Sequence, residues 1–160
     1  MTRQSVTALP GARSITILCV DPIEEDHATL EDIFKSSPWS LYPDCVWTLE
    51  SRTDLKSAWR LLRTHRFPLV LCGCDLHSGT WRELLDLLKF LPEPPFLIVT
   101  SRTADERLWA EALNLGAYDV LAKPFDRTEV SRIVSLAWMH WSEQHSAPAR
   151  AKVVAAGGGG

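Results

Sequence analysis

Three polar residues, Asp21, Thr100 and Lys123, each stand at the end of a different apolar run of the sequence. In an open sheet of parallel strands, the carboxyl ends of the strands converge on one crevice. A carboxylate, a hydroxyl and an ammonium group in one crevice are suited to handling a phosphoryl group and a hard metal ion. The sequence therefore predicts a polar site of this kind at one edge of a sheet.

A fourth apolar run, P-L-V-L-C-G-C-D, has Gly73 at the position where a reactive side chain is expected. Glycine has no oxygen with which to attack phosphorus or bind a metal ion. Asp75 lies two residues later and points to the same side if the strand continues. It is therefore a candidate substitute, although an aspartate there is also typical of a loop turn or a helix cap.

The elements that must position these residues follow from periodicity. Short β-rich runs predict strands at 14–20, 45–49, 69–74, 96–100 and 118–122, and the first of them is a continuous apolar stretch typical of a strand covered on both faces. Apolar residues spaced i, i+3, i+4 predict helices starting near 24 and 81 and spanning about 53–65, 104–115 and 127–143. Five alternating strand–helix units predict an α/β protein, a three-layer sandwich with helices on both faces of a parallel sheet.

Several finer details are also predicted. Thr53 or Ser51 is expected to cap the second helix, and the fourth helix is expected to turn Leu108, Ala112 and Leu115 inward. The acidic residues at 24–26 fall in the first turn of the first helix, where the helix dipole favours negative charge. Residues 1–13 are interpreted as an N-terminal extension, 14–143 as the domain, and 144–160, which are small and glycine-rich, as a flexible tail.

Four segments make the sequence resemble the receiver domain of two-component response regulators, from about Ser14 to Glu143: I-L-C-V-D (17–21), L-V-L-C-G (69–73), L-I-V-T-S (97–101) and G-A-Y-D-V-L-A-K-P-F (116–125). The resemblance implies a sheet in the order 2-1-3-4-5. It also implies an aspartate phosphorylated by a partner histidine kinase, with Mg²⁺ beside it.

The resemblance places the vacant phosphoacceptor position at Gly73. Asp21 matches the first member of the family's acidic pair, but Pro22 stands at the second, so Mg²⁺ is possible but weakened and no cofactor is firmly indicated. The sequence is thus similar to a degenerate receiver, or pseudo-receiver.

Other parts of the receiver machinery are matched. By resemblance, Thr100 is the switch hydroxyl and Lys123 the lysine that contacts the phosphoryl group. Pro124 matches a proline that often follows a cis bond, and Tyr118 matches the aromatic residue that changes rotamer on activation.

Two interpretations stay open for several side chains. Lys123 binds an anion or, as we favour, forms an ion pair with Asp21. Cys72 and Cys74, with Cys19 on the neighbouring strand, form a metal site or, as we favour, are buried thiols. His77 contributes a ligand or a proton at the site, or is a solvated loop histidine. Trp109 is an exposed anchor for a partner or is partly buried.

Composition limits the classes of function. The 160 residues are 46% hydrophobic and 23% charged with a net charge of -3, which favours neither nucleic acid nor membrane as a partner. The N-terminus lacks the apolar run of a signal peptide, so a cytoplasmic location is expected.

We therefore predict a stand-alone, non-enzymatic receiver-like domain. It would act on a histidine kinase or another signalling protein by protein–protein contact, without aspartyl phosphorylation. One alternative is a true phosphoacceptor receiver that uses Asp75. A second, a flavodoxin-like nucleotide or flavin binder, is disfavoured because no glycine-rich phosphate loop follows the first strand.

Overall fold

The structure of the protein is a computed structural model that describes residues 13–36, 39 and 41–158, with side chains described up to His145. The predicted extension at 1–13 lies almost wholly outside the described residues, and most of the predicted tail lies beyond the described side chains. The domain limits therefore stay predictions.

A single five-stranded sheet forms the middle layer. Its strands are β1 Arg13–Val20, β2 Cys45–Arg52, β3 Leu69–Gly73, β4 Phe96–Ser101 and β5 Asp119–Ala122. All neighbouring strands are parallel and the order is β2-β1-β3-β4-β5, which confirms the predicted topology.

Five helices cover the two faces of the sheet: α1 Glu24–Lys35, α2 Leu55–Leu62, α3 Trp81–Leu88, α4 Glu106–Leu115 and α5 Arg127–Gly158. Alternate residues of each strand point to opposite faces, which produces two core layers. Side chains of α1 and α5 pack with Ile17 and Leu71 in one layer. Side chains of α2, α3 and α4 pack with Val70 and Val99 in the other.

Some boundaries and contacts differ from the prediction. Helix α2 is capped by Asp54, whose carboxylate accepts a hydrogen bond from Ser57 N, and not by Thr53 or Ser51. Leu115 is 45% exposed and not inward, whereas Ala112 is fully buried. Leu115 is the last residue of α4 and directly precedes Gly116, whose left-handed conformation ends the helix.

Strand and helix ends also differ. Strand β2 continues three residues past Leu49 because its backbone pairs with β1 as far as Val20↔Arg52. Strand β3 ends one residue early, at Gly73, and α5 continues beyond the predicted end at Glu143. Within the described residues, no helix is both long and apolar enough to cross a membrane.

Candidate functional site

The predicted site residues come together at the carboxyl edge of the sheet. Asp21 directly follows β1, Gly73 pairs in register with Thr100 at the ends of β3 and β4, and Lys123 directly follows β5. Asp21, Thr100 and Lys123 are all buried. They face the layer that contains α1 and α5, as the alternation along their strands requires.

Asp21 is fixed by the chain that follows it. Its Oδ1 accepts a hydrogen bond from Ile23 N at 2.8 Å, and its backbone oxygen lies 2.6 Å from His27 Nε2. The first contact is a local aspartate turn and the second ties the end of β1 to helix α1. The carboxylate of Asp21 therefore has a defined direction, with Oδ2 aimed across the site.

Lys123 lies between two carboxylates. Its Nζ is 2.7 Å from Asp21 Oδ2 and 2.8 Å from Asp26 Oδ2. Burial opposes the charge of the ammonium group, but the hydrogen bonds and negative charges of the two aspartates outweigh burial, so the pKa of Lys123 is raised. The ion pair predicted between Lys123 and Asp21 is present.

Asp26 was not recognised as a site residue from the sequence, because its place in the first turn of α1 was explained by the helix dipole alone. It is 9% exposed, and Arg102 Nη2 lies 3.9 Å from its Oδ1. Asp26 precedes Leu30 by four residues and Ile33 by seven, so it lies on the inward stripe of the helix. That spacing was the available signal.

Gly73 leaves room for the side chain of Asp21. An ideal Cβ placed on Gly73 would lie 3.0 Å from Asp21 Cγ. It would lie closer still to Asp21 Oδ2, nearer than Cβ atoms come to other atoms in proteins. Gly73 is not among the glycines with positive φ, so its backbone conformation is open to other residues. The obstacle to a larger residue is therefore the carboxylate of Asp21.

Asp75 does not join the site. Strand β3 ends at Gly73, so the alternation that would direct Asp75 inward does not reach it. The side chain of Asp75 is exposed. Within the described residues it has no hydrogen bond or ion pair with Asp21 or Lys123.

Tyr118 precedes β5 and is half-buried. Its ring stacks on Phe96 with centroids 5.3 Å apart, and its hydroxyl lies 2.7 Å from His140 Nδ1 on α5. Burial raises the pKa of Tyr118. In this structure the side chain therefore has partners both on the sheet and on the last helix.

The bond between Lys123 and Pro124 is cis, as the resemblance implies.

The residues present do not fit a magnesium ion. Mg²⁺ needs oxygen ligands around an open position. Here Lys123 lies between the two carboxylates of the site, and positions 22 and 73 supply no carboxylate. In the described part of the chain, no group of three or more histidine, cysteine, aspartate or glutamate side chains is arranged to hold a metal ion.

The cysteines do not form a metal site. Cys19 lies in the core layer of α1 and α5, whereas Cys72 lies in the opposite layer, so the sheet separates them. Burial raises the pKa of both thiols and of the half-buried Cys74. His77 is exposed in the loop after β3. The structure therefore agrees with the interpretation of Cys19 and Cys72 as buried thiols.

Comparison with known proteins agrees with this architecture. Residues 23–135 match the response regulator receiver domain family. The chain is 29% identical over 151 residues to the C4-dicarboxylate transport transcriptional regulatory protein DctR of Rhodobacter capsulatus, a match that covers 89% of this chain and 70% of that protein.

Solved structures show the same similarity. The signal receiver domain of an HD domain-containing protein from Pseudomonas fluorescens is 26% identical, with a TM-score of 0.69, and 82% of this chain and 99% of that chain are covered. A response regulator receiver domain protein from Methanospirillum hungatei shares the fold at 18% identity, with a TM-score of 0.68 and coverage of 81% and 98%.

The family match covers most of the folded chain, and the sheet has the strand order that the resemblance implied. The chain belongs to the response regulator receiver domains of two-component signalling.

Proposed function

We propose that this receiver domain works without aspartyl phosphorylation, because its acceptor position is closed from within by the side chain of Asp21. The observation that carries the proposal is the space around Gly73, where any Cβ would collide with the Asp21 carboxylate. The position that the family uses for the phosphorylated aspartate thus has neither a nucleophile nor room for one.

Asp21 is itself a poor acceptor. Its Oδ2 is paired with Lys123, its Oδ1 accepts a hydrogen bond from Ile23 N, and the residue is 2% exposed. A phosphoryl donor would have to displace a buried ammonium group from its partner, which leaves charges unpaired in a region of low dielectric constant. Lys123, which by resemblance would contact the phosphoryl group, is itself held in this ion pair.

Signalling then depends on contact with another protein, either a histidine kinase or a different signalling protein. The surface formed by α4 and β5 supports this step. Trp109 is 50% exposed, its Nε1 donates a hydrogen bond to Asp119 Oδ1 at 3.2 Å, and Leu115 is exposed beyond it. A large aromatic side chain held in place at a surface is typical of an interface anchor.

A partner could act by selecting one of two arrangements of this surface. In receivers that are phosphorylated, the phosphoryl group biases such an equilibrium. In this chain the equilibrium is set by Lys123, Asp21 and Asp26, and a partner shifts it only to the extent that it binds the two arrangements with different affinity.

The test is intact-mass spectrometry after incubation with acetyl phosphate and Mg²⁺, with a receiver that has the acceptor aspartate as positive control. We expect the control to gain the mass of one phosphoryl group and this protein to gain none. A phosphorylated species would overturn the proposal. Its disappearance in Asp75→Asn would then identify Asp75 as the acceptor.

A further inference from the structure

Helix α2 and the turn after it carry a row of basic side chains on their outer surface. Lys56, Arg60, Arg63, His65 and Arg66 are all exposed, and we call them the α2 basic surface. The first three are spaced i, i+4 and i+7, so they share one side of the helix. The row is thus a continuous positive strip on a chain whose net charge is -3.

The charges of the strip are only partly neutralised by neighbours. Within the described residues, Lys56, Arg60 and Arg63 have no ion pair, and Arg66, which pairs with Glu93 at 3.1 Å, keeps a side chain that is 73% exposed. Like charges spaced three and four residues apart on a helix repel one another and reduce its stability. The exposed charges are therefore available to pair with an anionic partner.

A pocket with an apolar floor lies at one end of the strip. Its volume is about 210 Å³. The buried Leu62 and Phe67 line it together with Leu91, and the rim carries the exposed Arg63 and Arg66 with Glu93, the ion-pair partner of Arg66. The pocket therefore accepts an apolar side chain whose flanking residues are negatively charged. Arginine suits this arrangement, because its guanidinium group pairs with a carboxylate through two parallel hydrogen bonds.

Phe90 is an exposed aromatic residue next in the chain to a residue of the pocket, although it is not itself part of the lining. It directly precedes Leu91 in the chain, and its side chain is 81% exposed. Exposed aromatic side chains beside arginines are typical of protein interfaces, where both residue types are enriched.

The distribution of charge favours a protein partner over a polyanion. Residues 52–66 contain five lysine and arginine residues and one aspartate, so the rest of the chain is more acidic than the whole. The net charge of the whole chain is -3, so a large polyanion that extends beyond the strip would meet a surface that is on balance acidic. A short segment that ends within the strip avoids this repulsion.

We propose that the α2 basic surface and its adjoining pocket bind an acidic protein segment that carries one apolar anchor residue. The carboxylates of the segment pair with Arg60, Arg63 and Arg66, and the anchor enters the pocket beside Leu91. This site is separate from the edge of the sheet that holds Asp21 and Lys123 and from the surface around Trp109.

The probe is a labelled synthetic peptide in which glutamates flank a single leucine, with binding followed by fluorescence anisotropy at low and high salt. We expect saturable binding that weakens as salt rises. Replacing the leucine of the peptide by serine removes the buried anchor and is expected to weaken binding by about tenfold.

Two variants of the protein test the site. Arg63→Glu with Arg66→Glu reverses the rim charges and is expected to weaken binding on the order of tenfold. Phe90→Ala removes an exposed side chain without touching the core and is expected to weaken binding by several-fold. The matched control, Arg107→Glu with Arg127→Glu, makes the same change in net charge at exposed positions of α4 and α5 and should bind as the wild type does.

The outcomes are distinct. Loss in both site variants with an unchanged control supports the proposal. The proposal is overturned if the peptide shows no saturable binding or if the control loses as much affinity as the rim variant. It is likewise overturned if a single-stranded oligodeoxynucleotide of equal charge, or vesicles of phosphatidylserine and phosphatidylcholine, bind more tightly than the peptide.

Discussion

The carboxylate of Asp21 occupies the space into which a side chain at Gly73 would project, with Asp21 Cγ only 3.0 Å from an ideal Cβ at that position. The two residues come from neighbouring strands, β1 and β3, and both face the layer of α1 and α5. Glycine at 73 and an inward aspartate at 21 are therefore mutually dependent, and the first and fourth predictions below rest on this dependence.

The first prediction concerns overpacking at Gly73. Gly73→Ala is expected to lower the free energy of unfolding by about 1–3 kcal/mol, because the new methyl group forces Asp21 away from Lys123. Urea denaturation followed by circular dichroism measures the change.

A double-mutant cycle identifies the cause. In an Asp21→Ala background, Gly73→Ala should cost little, because the colliding carboxylate is gone. Equal costs in the two backgrounds would show that Asp21 is not the obstacle.

The second prediction concerns the buried ammonium group. Lys123→Met leaves Asp21 and Asp26 as neighbouring carboxylates without their shared cation, so the free energy of unfolding should fall by about 3–5 kcal/mol. Lys89→Met is the matched control, since Lys89 forms only an exposed ion pair with Asp86, and it should change stability by less than about 0.5 kcal/mol. Similar losses in the two variants would contradict this account.

The third prediction is a dependence of stability on alkaline pH. The pKa of Lys123 is raised in the folded protein, so its charge stabilises the fold fully below the unfolded lysine pKa of about 10.4. That stabilisation is lost as the pH rises through the higher folded pKa. The difference in unfolding free energy between the wild type and Lys123→Met should thus be constant from neutral pH to about pH 10 and shrink above it. A difference that grew with pH would have the wrong sign.

The fourth prediction concerns magnesium. The wild type should give no heat on titration with Mg²⁺, whereas Gly73→Asp with Pro22→Asp should bind the ion, because two new carboxylates would join those of Asp21 and Asp26 at the site. The side chain at 73 must first displace Asp21 from Lys123, so affinity should improve further when Lys123→Ala is added. Magnesium binding by the wild type would disprove the poor fit inferred from the ion pairs.

The sheet was predictable because its signal is local. The apolar runs that form β1, β3 and β4 are uninterrupted, and the polar residues that follow them identify the carboxyl edge. The ion pair between Asp21 and Lys123 could therefore be predicted from the ends of these runs, whereas the vacant phosphoacceptor position at Gly73 stays a prediction from the resemblance to receiver domains. The polar end of β2 could not be predicted in this way. That strand ends where its backbone pairing with β1 ends, and its last residues are not hydrophobic.

The role of Asp26 illustrates what was missed. An acidic residue in the first turn of a helix already has a local explanation in the helix dipole, which concealed the signal that Asp26 shares the inward stripe of α1 with Leu30 and Ile33. Only the fold brings Lys123, about a hundred residues away, within 2.8 Å of its carboxylate. The exposure of Leu115 was also missed, because its spacing from Leu108 and Ala112 continues the inward stripe up to the point where the helix ends at Gly116.

The central claim is that this receiver does not respond to a phosphoryl group at Gly73, and beryllofluoride with Mg²⁺, which mimics that group, tests it most directly. The reporters are the indole of Trp109 and the ring of Tyr118, which lie on the surface around α4, β5 and α5. Their NMR signals and the tryptophan fluorescence should stay unchanged in the wild type when the mimic is added. A saturable change at Trp109 and Tyr118 in the unmodified protein would contradict the claim and make Asp75 the leading candidate for the acceptor.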